Sequence, residues 1–250
     1  MPQMSQPPPG PYGGYGGGGH QPPGPGGGPY GAWPPPPPPP RRGLGAGAIT
    51  AIVLGGVAVL AALVLGIALV AGAGGGPKGT MKLTTPRTLD NGRYHRVPPT
   101  PDVERQEKQL QEELPSDGRA RIASYSTERS GDPLAGALVL SGAYGDIDIS
   151  SSTMRDDMLD GVRESGRSER VGERRVFRPQ GSEGPEISCQ LERMKEGGLL
   201  LYAPACAWAD ESTAAVLLEI KTGNNSAAKV DLARFAALTA RIKDEATAPR

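Results

Sequence analysis

The chain has 250 residues, with 37 Gly, 27 Pro, two Cys, two His, and 27 basic side chains against 27 acidic ones. Gly and Pro make up about a quarter of it, roughly twice the usual share, which excludes a packed core running through the whole sequence. The zero net charge excludes the strongly basic domain expected of a nucleic-acid binder, and two histidines leave little for His-based catalysis or a His-rich metal site.

Residues 1–42 read as a disordered Pro/Gly-rich tail. The first 40 hold 16 Pro and 12 Gly and no acidic or basic side chain, so they cannot bury enough apolar surface to offset the entropy of folding. Pro34–Pro40 forms a stiff polyproline II rod of about 22 Å. With Arg41 it supplies a P-x-x-P-R pattern of the kind aromatic grooves bind, which makes a cytoplasmic partner of the tail an expectation. Tyr12, Tyr15, Tyr30 and Trp33 interleave the glycines, a composition that also supports weak self-association.

Residues 43–72 read as a transmembrane helix. Leu44 to Ala71 is a 28-residue run without charge, and about 20 apolar residues suffice to cross a bilayer core. Ala71-Gly72-Ala73 has the form of a signal-cleavage site, but a signal core of about 7–15 residues lacks such a long preamble, so the span is expected to be retained. Arg41 and Arg42 favour a cytoplasmic N-terminus, while Lys78, Lys82 and Arg87 favour the reverse. Long domains translocate largely regardless of charge, and the paired cysteines described below suit an oxidising compartment. The expected topology is therefore tail inside, C-terminal domain outside. Ala58, Ala62 and Gly66 share one helix face, a spacing that admits a weak homodimer through the span.

Residues 73–118 read as a stalk with a polar helix. Gly74–Gly76, Pro77, Pro86, Pro98, Pro99 and Pro101 suggest an extended chain. Asp102–Leu114, stopped by Pro115, is a charged helical stretch with only Val103, Leu110 and Leu114 apolar. Residues 119–250 read as an exported α+β domain, a small mainly antiparallel sheet with flanking helices. Its expected elements are a strand at Leu134–Leu140 and a helix from Ser150–Ser152 to about Glu164, with Met154, Met158, Leu159 and Val162 inward. Then come strands at Glu169–Arg178, Glu186–Lys195, Leu199–Ala207 and Thr213–Lys221, and a closing helix at Ala228–Asp244 capped by Asn225/Ser226.

Gly197-Gly198 between two strand-like runs is a two-residue hairpin signal. Counting outward from it places Cys189 opposite Cys206 in a non-hydrogen-bonded pair, where Cα atoms approach to about 4.5 Å, within disulfide range. The same register pairs Ile187 with Trp208, Leu191 with Pro204 and Arg193 with Tyr202. Pro204 then needs an edge or a bulge on its other side, having no N–H to give. A bond there contributes roughly 3 kcal/mol and belongs to an oxidising compartment. Two buried free thiols or a redox pair are the competing readings; the opposed register disfavours the first and the missing C-x-x-C spacing the second.

The layout of a Pro/Gly tail ending in Arg41-Arg42, one span and a small domain carrying Cys206-Ala-Trp-Ala-Asp210-x-x-Thr213 resembles a group of uncharacterised single-pass membrane proteins of high-GC Gram-positive bacteria. There a similar C-x-W-A-D-x-x-T stretch follows an earlier cysteine. The resemblance implies the same topology and the same disulfide, and no activity.

Chemistry is sparse. His95 falls in the expected stalk, so no Ser-His-Asp or Cys-His set is expected in the domain, and two cysteines cannot complete a zinc site. Asp146, Asp148, Asp156 and Asp157 lack the spacing of a calcium loop. Among Arg163, Arg167, Arg170, Arg174, Arg175 and Arg178, the candidate anion or ligand surface is Arg170, Arg174, Arg175 and Arg178. Glu164, Glu169 and Glu173 intersperse them, so a solvated mixed-charge face is the competing reading. Trp208 is expected in the core against the disulfide, and Asp210 and Ser212 in a turn. The sequence favours a non-enzymatic, membrane-anchored protein whose outer domain binds or supports an envelope component, with no cofactor, metal or nucleic acid. An envelope enzyme using carboxylates, or a scaffold centred on the tail, are the alternatives.

Overall fold

The computed structural model describes residues 79–127, 136–147, 150–164, 168–179, 184–196 and 199–250. The tail, the apolar run with Ala58, Ala62 and Gly66, residues 73–78, Asp148, Arg167 and the Gly197-Gly198 pair lie outside them. In chain order the elements are β1 (Met81–Leu83), β2 (Thr88–Leu89), β3 (Tyr94–Arg96), α1 (Pro101–Glu113), β4 (Arg119–Ser126), β5 (Ala137–Tyr144) and α2 (Ser151–Glu164). They continue as β6 (Ser168–Phe177), β7 (Ile187–Glu196), β8 (Leu199–Ala209), β9 (Thr213–Ile220), a 3-10 turn (Ala227–Lys229), α3 (Leu232–Ala246) and β10 (Thr247–Pro249).

Eight strands form one sheet in the order β2-β3-β4-β5-β9-β8-β7-β6, every neighbour antiparallel. The domain is therefore α+β, as expected. Antiparallel sheets often leave one face wet; this one buries both. On one face α2 brings Met154, Met158, Leu159 and Val162 onto Ala203, Ala205 and Ala207 of β8 and their neighbours, and α1 brings Val103 and Leu110 onto β4. Large helix side chains there meet small strand side chains, a pairing that lets the two layers interdigitate. On the other face α3 and β1 cover the disulfide, Trp208, Leu217 and Tyr94. Burial on both sides explains why β9 is buried at every position and reads as an apolar run without alternation. Gly142 of β5 is required by the close approach of β9, because a Cβ there would lie 2.3 Å from the Ala214 carbonyl oxygen.

The fold corrects the stalk expected at residues 73–118. Residues 79–118 belong to the domain: β1 pairs with β10, β2 and β3 extend the sheet beyond β4, and Leu83, Leu89, Tyr94, Val103 and Leu110 are buried. One of the prolines that suggested a stalk sits where no N–H is needed. Pro101 opens α1, a position whose N–H has no helical partner. α1 also closes the exposed part of β4. Glu107 Oε2 accepts the Ile122 N–H (2.8 Å) and Gln111 Oε1 the Ala120 N–H (3.0 Å), an edge protected by side chains where a strand is missing.

The closing helix also starts later than expected. Asn225 and Ser226 precede the 3-10 turn, and α3 is capped by Asp231, whose carboxylate accepts the Arg234 N–H at 3.0 Å. Leu134–Leu140 is displaced to Ala137–Tyr144, and β4 is an added strand.

Candidate functional site

The hairpin register is the one read from the sequence. Glu196 pairs with Leu199, Leu191 with Pro204, Arg193 with Tyr202, and Cys189 with Cys206. Cys189 and Cys206 are disulfide-bonded, with Cα atoms 4.1 Å apart, and both are fully buried. The C-x-W-A-D-x-x-T stretch is accounted for by local structure. Trp208 Nε1–H donates to Thr213 Oγ1 (3.3 Å), which donates to Asp210 Oδ2 (3.1 Å). Asp210 Oδ1 in turn accepts the N–H groups of Ser212 and Thr213 at 2.9 and 2.8 Å. The motif builds the β8–β9 turn and locks a core indole onto it, so Trp208 and Asp210 offer no free group to a ligand.

Arg170, Arg174 and Arg175 sit on β6, an edge strand of the sheet, and Arg178 follows it directly; a register shift falls between Val171 and Arg175. Gly172 takes a φ of 75° within that bulge, a conformation glycine adopts without strain. The four candidate cations are not equivalent. Arg174 bridges Asp156 (2.8 Å) and Asp160 (2.9 Å) on α2 and donates to the buried Gln190 Oε1. Arg178 pairs with Glu186, and Arg175 lies over the Phe177 ring, 5.1 Å from its centre. Arg170 is exposed. Arg163, from the wider cluster, pairs with Asp160.

Beneath them lies Glu192, fully buried. Its Oε1 accepts from Gln190 Nε2 (2.7 Å), while among the described residues no donor lies within hydrogen-bond geometry of Oε2. Burial pushes its carboxyl above the usual range, opposed by Ser168, Gln190 and the charges of Arg163 and Arg170.

A second basic surface forms beside α3, from cations that sequence reasoning passed over. Its origin is Pro204. In the observed register its nitrogen points at β9, and the β8–β9 ladder ends at Ala205–Leu218, one pair short of it. A residue without an N–H cannot carry the ladder further. Beyond that point β8 meets the chain after β9 through one bond, Tyr202 N–H to the Asn224 carbonyl (2.8 Å). The gap is a cavity of about 400 Å³, walled by Pro204, Asn224 and α3 and ringed by Arg93, Lys221, Lys229, Arg234 and Arg241.

Two acids line it, and both are occupied. Glu219 Oε1 accepts the Tyr94 hydroxyl (2.6 Å) and pairs with Lys221; Asp231 caps α3. Burial and the neighbouring Glu219 carboxylate raise the Tyr94 phenol well above its ordinary range, so it stays a donor. Arg241 and Arg93 are held at the rim by Asp90, at 3.1 and 3.6 Å. Asp90 itself sits in the left-handed turn Asp90-Asn91-Gly92, fastened by Glu245 accepting the Asp90 and Asn91 N–H groups. Among the described residues no carboxylate pairs with Lys229 or Arg234.

Another cavity, of about 460 Å³, lies between α1 and β4. Its charges are mixed, and Glu107 and Gln111 there already serve the β4 edge. Asp146, one of the carboxylates weighed for calcium, accepts the Gly79 N–H (2.9 Å) and faces Arg250. Among the described residues no group of three His, Cys, Asp or Glu side chains is placed to hold a metal, and no helix is long and apolar enough to cross a membrane. No protein-family model matches the chain, and no curated protein matches it.

Proposed function

We propose that this chain is a single-pass membrane protein, held by residues 43–72 with its Pro/Gly tail in the cytoplasm, whose exported domain acts by binding an envelope component rather than by catalysis. The observation that carries the reading is the Cys189–Cys206 bond. It is buried and set in a two-strand register, as structural disulfides of oxidising compartments are, and it follows an uncharged 28-residue run. The binding role rests on the cavity beside α3, whose lining cations outnumber its lining acids and whose Lys229 and Arg234 pair with no carboxylate among the described residues. The resemblance to single-pass membrane proteins of high-GC Gram-positive bacteria points the same way.

The test places one new cysteine on each side of the span in the full-length chain, Ser5→Cys in the tail and Arg105→Cys on the exposed side of α1. A membrane-impermeant maleimide added to intact cells is expected to label the second variant and not the first. The reverse pattern puts the domain inside and overturns the reading. In cells denatured directly in alkylating agent, Cys189 and Cys206 are expected to stay unmodified until reductant is added.

A further inference from the structure

We propose that the cavity opened by Pro204 is a binding site for a phosphate-bearing anion, gripped by Lys229, Arg234 and Arg241. The inference names the ligand of the binding role proposed above and rests on it, but its chemistry comes from the cavity alone.

The cavity lining carries five cations against two acids, and Asp90 at the rim, which holds Arg241 and Arg93, brings the excess to about two charges. Both acids are engaged within the fold, Glu219 by Tyr94 and Lys221 and Asp231 by the α3 backbone. A doubly charged group therefore neutralises the excess better than a single carboxylate does. The cations also differ in kind. Arg234 and Arg241 are seven residues apart on α3, two turns, which separates them by about 10.5 Å along its axis and lets them flank a group held between them. Guanidinium forks match phosphate oxygens two at a time, and an ammonium adds a mobile point charge. Arg241 is pre-positioned by Asp90, so it loses little freedom on engaging a ligand. About 400 Å³ lies within the range of small-molecule sites, large enough for a phosphate with the group that bears it. Asn224 adds an amide at the wall.

The β6 arginines are the internal control. They are as dense in sequence, but Arg174 and Arg178 are tied to Asp156, Asp160 and Glu186, and Arg170 and Arg175, which remain, lie on one strand and do not line the cavity, so they are not expected to hold the same ligand.

The experiment uses the purified full-length chain in detergent and equilibrium dialysis against a short polyphosphate, with inorganic phosphate as competitor. Saturable binding that weakens with added salt is expected, with competition by inorganic phosphate. The double variant Lys229→Gln/Arg234→Gln is expected to weaken it at least about tenfold, the lower bound set by losing one of the two charge-assisted contacts it removes. The double variant Arg170→Gln/Arg175→Gln is expected to leave it within about twofold. Both pairs are exposed, and near-ultraviolet circular dichroism checks that each variant is folded. Absence of saturable binding, or an equal loss in the two double variants, overturns the proposal. Phosphatidylglycerol vesicles that displace polyphosphate, where phosphatidylcholine vesicles do not, assign the phosphate to a lipid headgroup. Failure of both vesicles to displace it assigns the phosphate to a free or polymer-borne source. Dialysis does not depend on which side of a membrane the domain occupies, so a failed topology leaves this result readable, and the converse holds for the maleimide experiment.

Discussion

On β6, Arg174 holds two aspartates and a buried glutamine, whereas beside α3 Lys229 and Arg234 have no carboxylate partner among the described residues. The two regions carry similar numbers of cations and use them differently. In β6 the basic residues alternate with acids along one strand and face acids on the next element, so neighbours a few ångströms away neutralise them. Around the cavity the cations come from the β2–β3 turn, the end of β9, the 3-10 turn and α3; Asp90 and Glu219 hold Arg93, Arg241 and Lys221, and Asp231 is taken by the α3 backbone. Density of charge along a chain therefore says little about free charge on its surface. What decides is how many opposite partners the fold delivers to the same place.

The hardest way to break the comparison is at the strand both regions lean on. β7 pairs with β6 on one side and, through the disulfide, with β8 and its Pro204 on the other. Replacing both cysteines, Cys189→Ala/Cys206→Ala, is expected to cost about 3 kcal/mol in denaturant unfolding of the detergent-solubilised protein. Tyrosine and backbone signals are expected to shift together. Separate transitions in those signals would mean that the edge and the cavity are independent units.

Arg174→Ala is expected to follow, at about 2–3 kcal/mol, because it strips both donors from the buried Gln190 Oε1 and leaves Asp156 and Asp160 side by side. A loss under about 0.5 kcal/mol would show the β6 cation to be as idle as a surface residue, and would return it to the list of free charges.

Glu192→Gln sharpens the same region through pH. The folded carboxyl is raised above its reference of 4.5, so the native state holds that proton more tightly than the unfolded chain does. Its contribution to stability is complete below the unfolded value and is lost as pH rises through the folded one. The gap in stability between the Gln variant and the parent is expected to move in the variant's favour from pH 4 to pH 8. The size expected is that of one buried unpaired polar atom, about 1–2 kcal/mol. A gap constant with pH would place Glu192 in contact with water.

These regions also differ in how far they can be read before folding. The β7–β8 register was legible because all its information is local: a Gly-Gly turn and two cysteines equidistant from it. Trp208, Asp210 and Ser212 were legible as core and turn for the same reason. Residues 79–118 were not. Asn91-Gly92 is a strong turn signal, but the strands it joins have two and three residues, too short to show alternation, and the Glu245 that secures the turn is 155 positions away. β1 finds its partner at the C-terminal end of the described chain. The cavity shares that non-locality. Pro204 announced that its ladder had to stop, but nothing along the chain told which cations would gather at the stop.

The smallest effect is the most discriminating. Arg234→Gln is expected to change stability by less than about 0.5 kcal/mol, because the side chain is exposed and has no carboxylate partner among the described residues. The backbone N–H that binds Asp231 is untouched, so the helix cap survives the substitution. Set against Arg174→Ala in the same unfolding assay, a near-zero value here separates a cation that holds the fold from one that the fold merely presents. A cost above about 1 kcal/mol would mean that Arg234 already has a partner within the domain, and the cavity would lose the charge that sets it apart from the β6 edge.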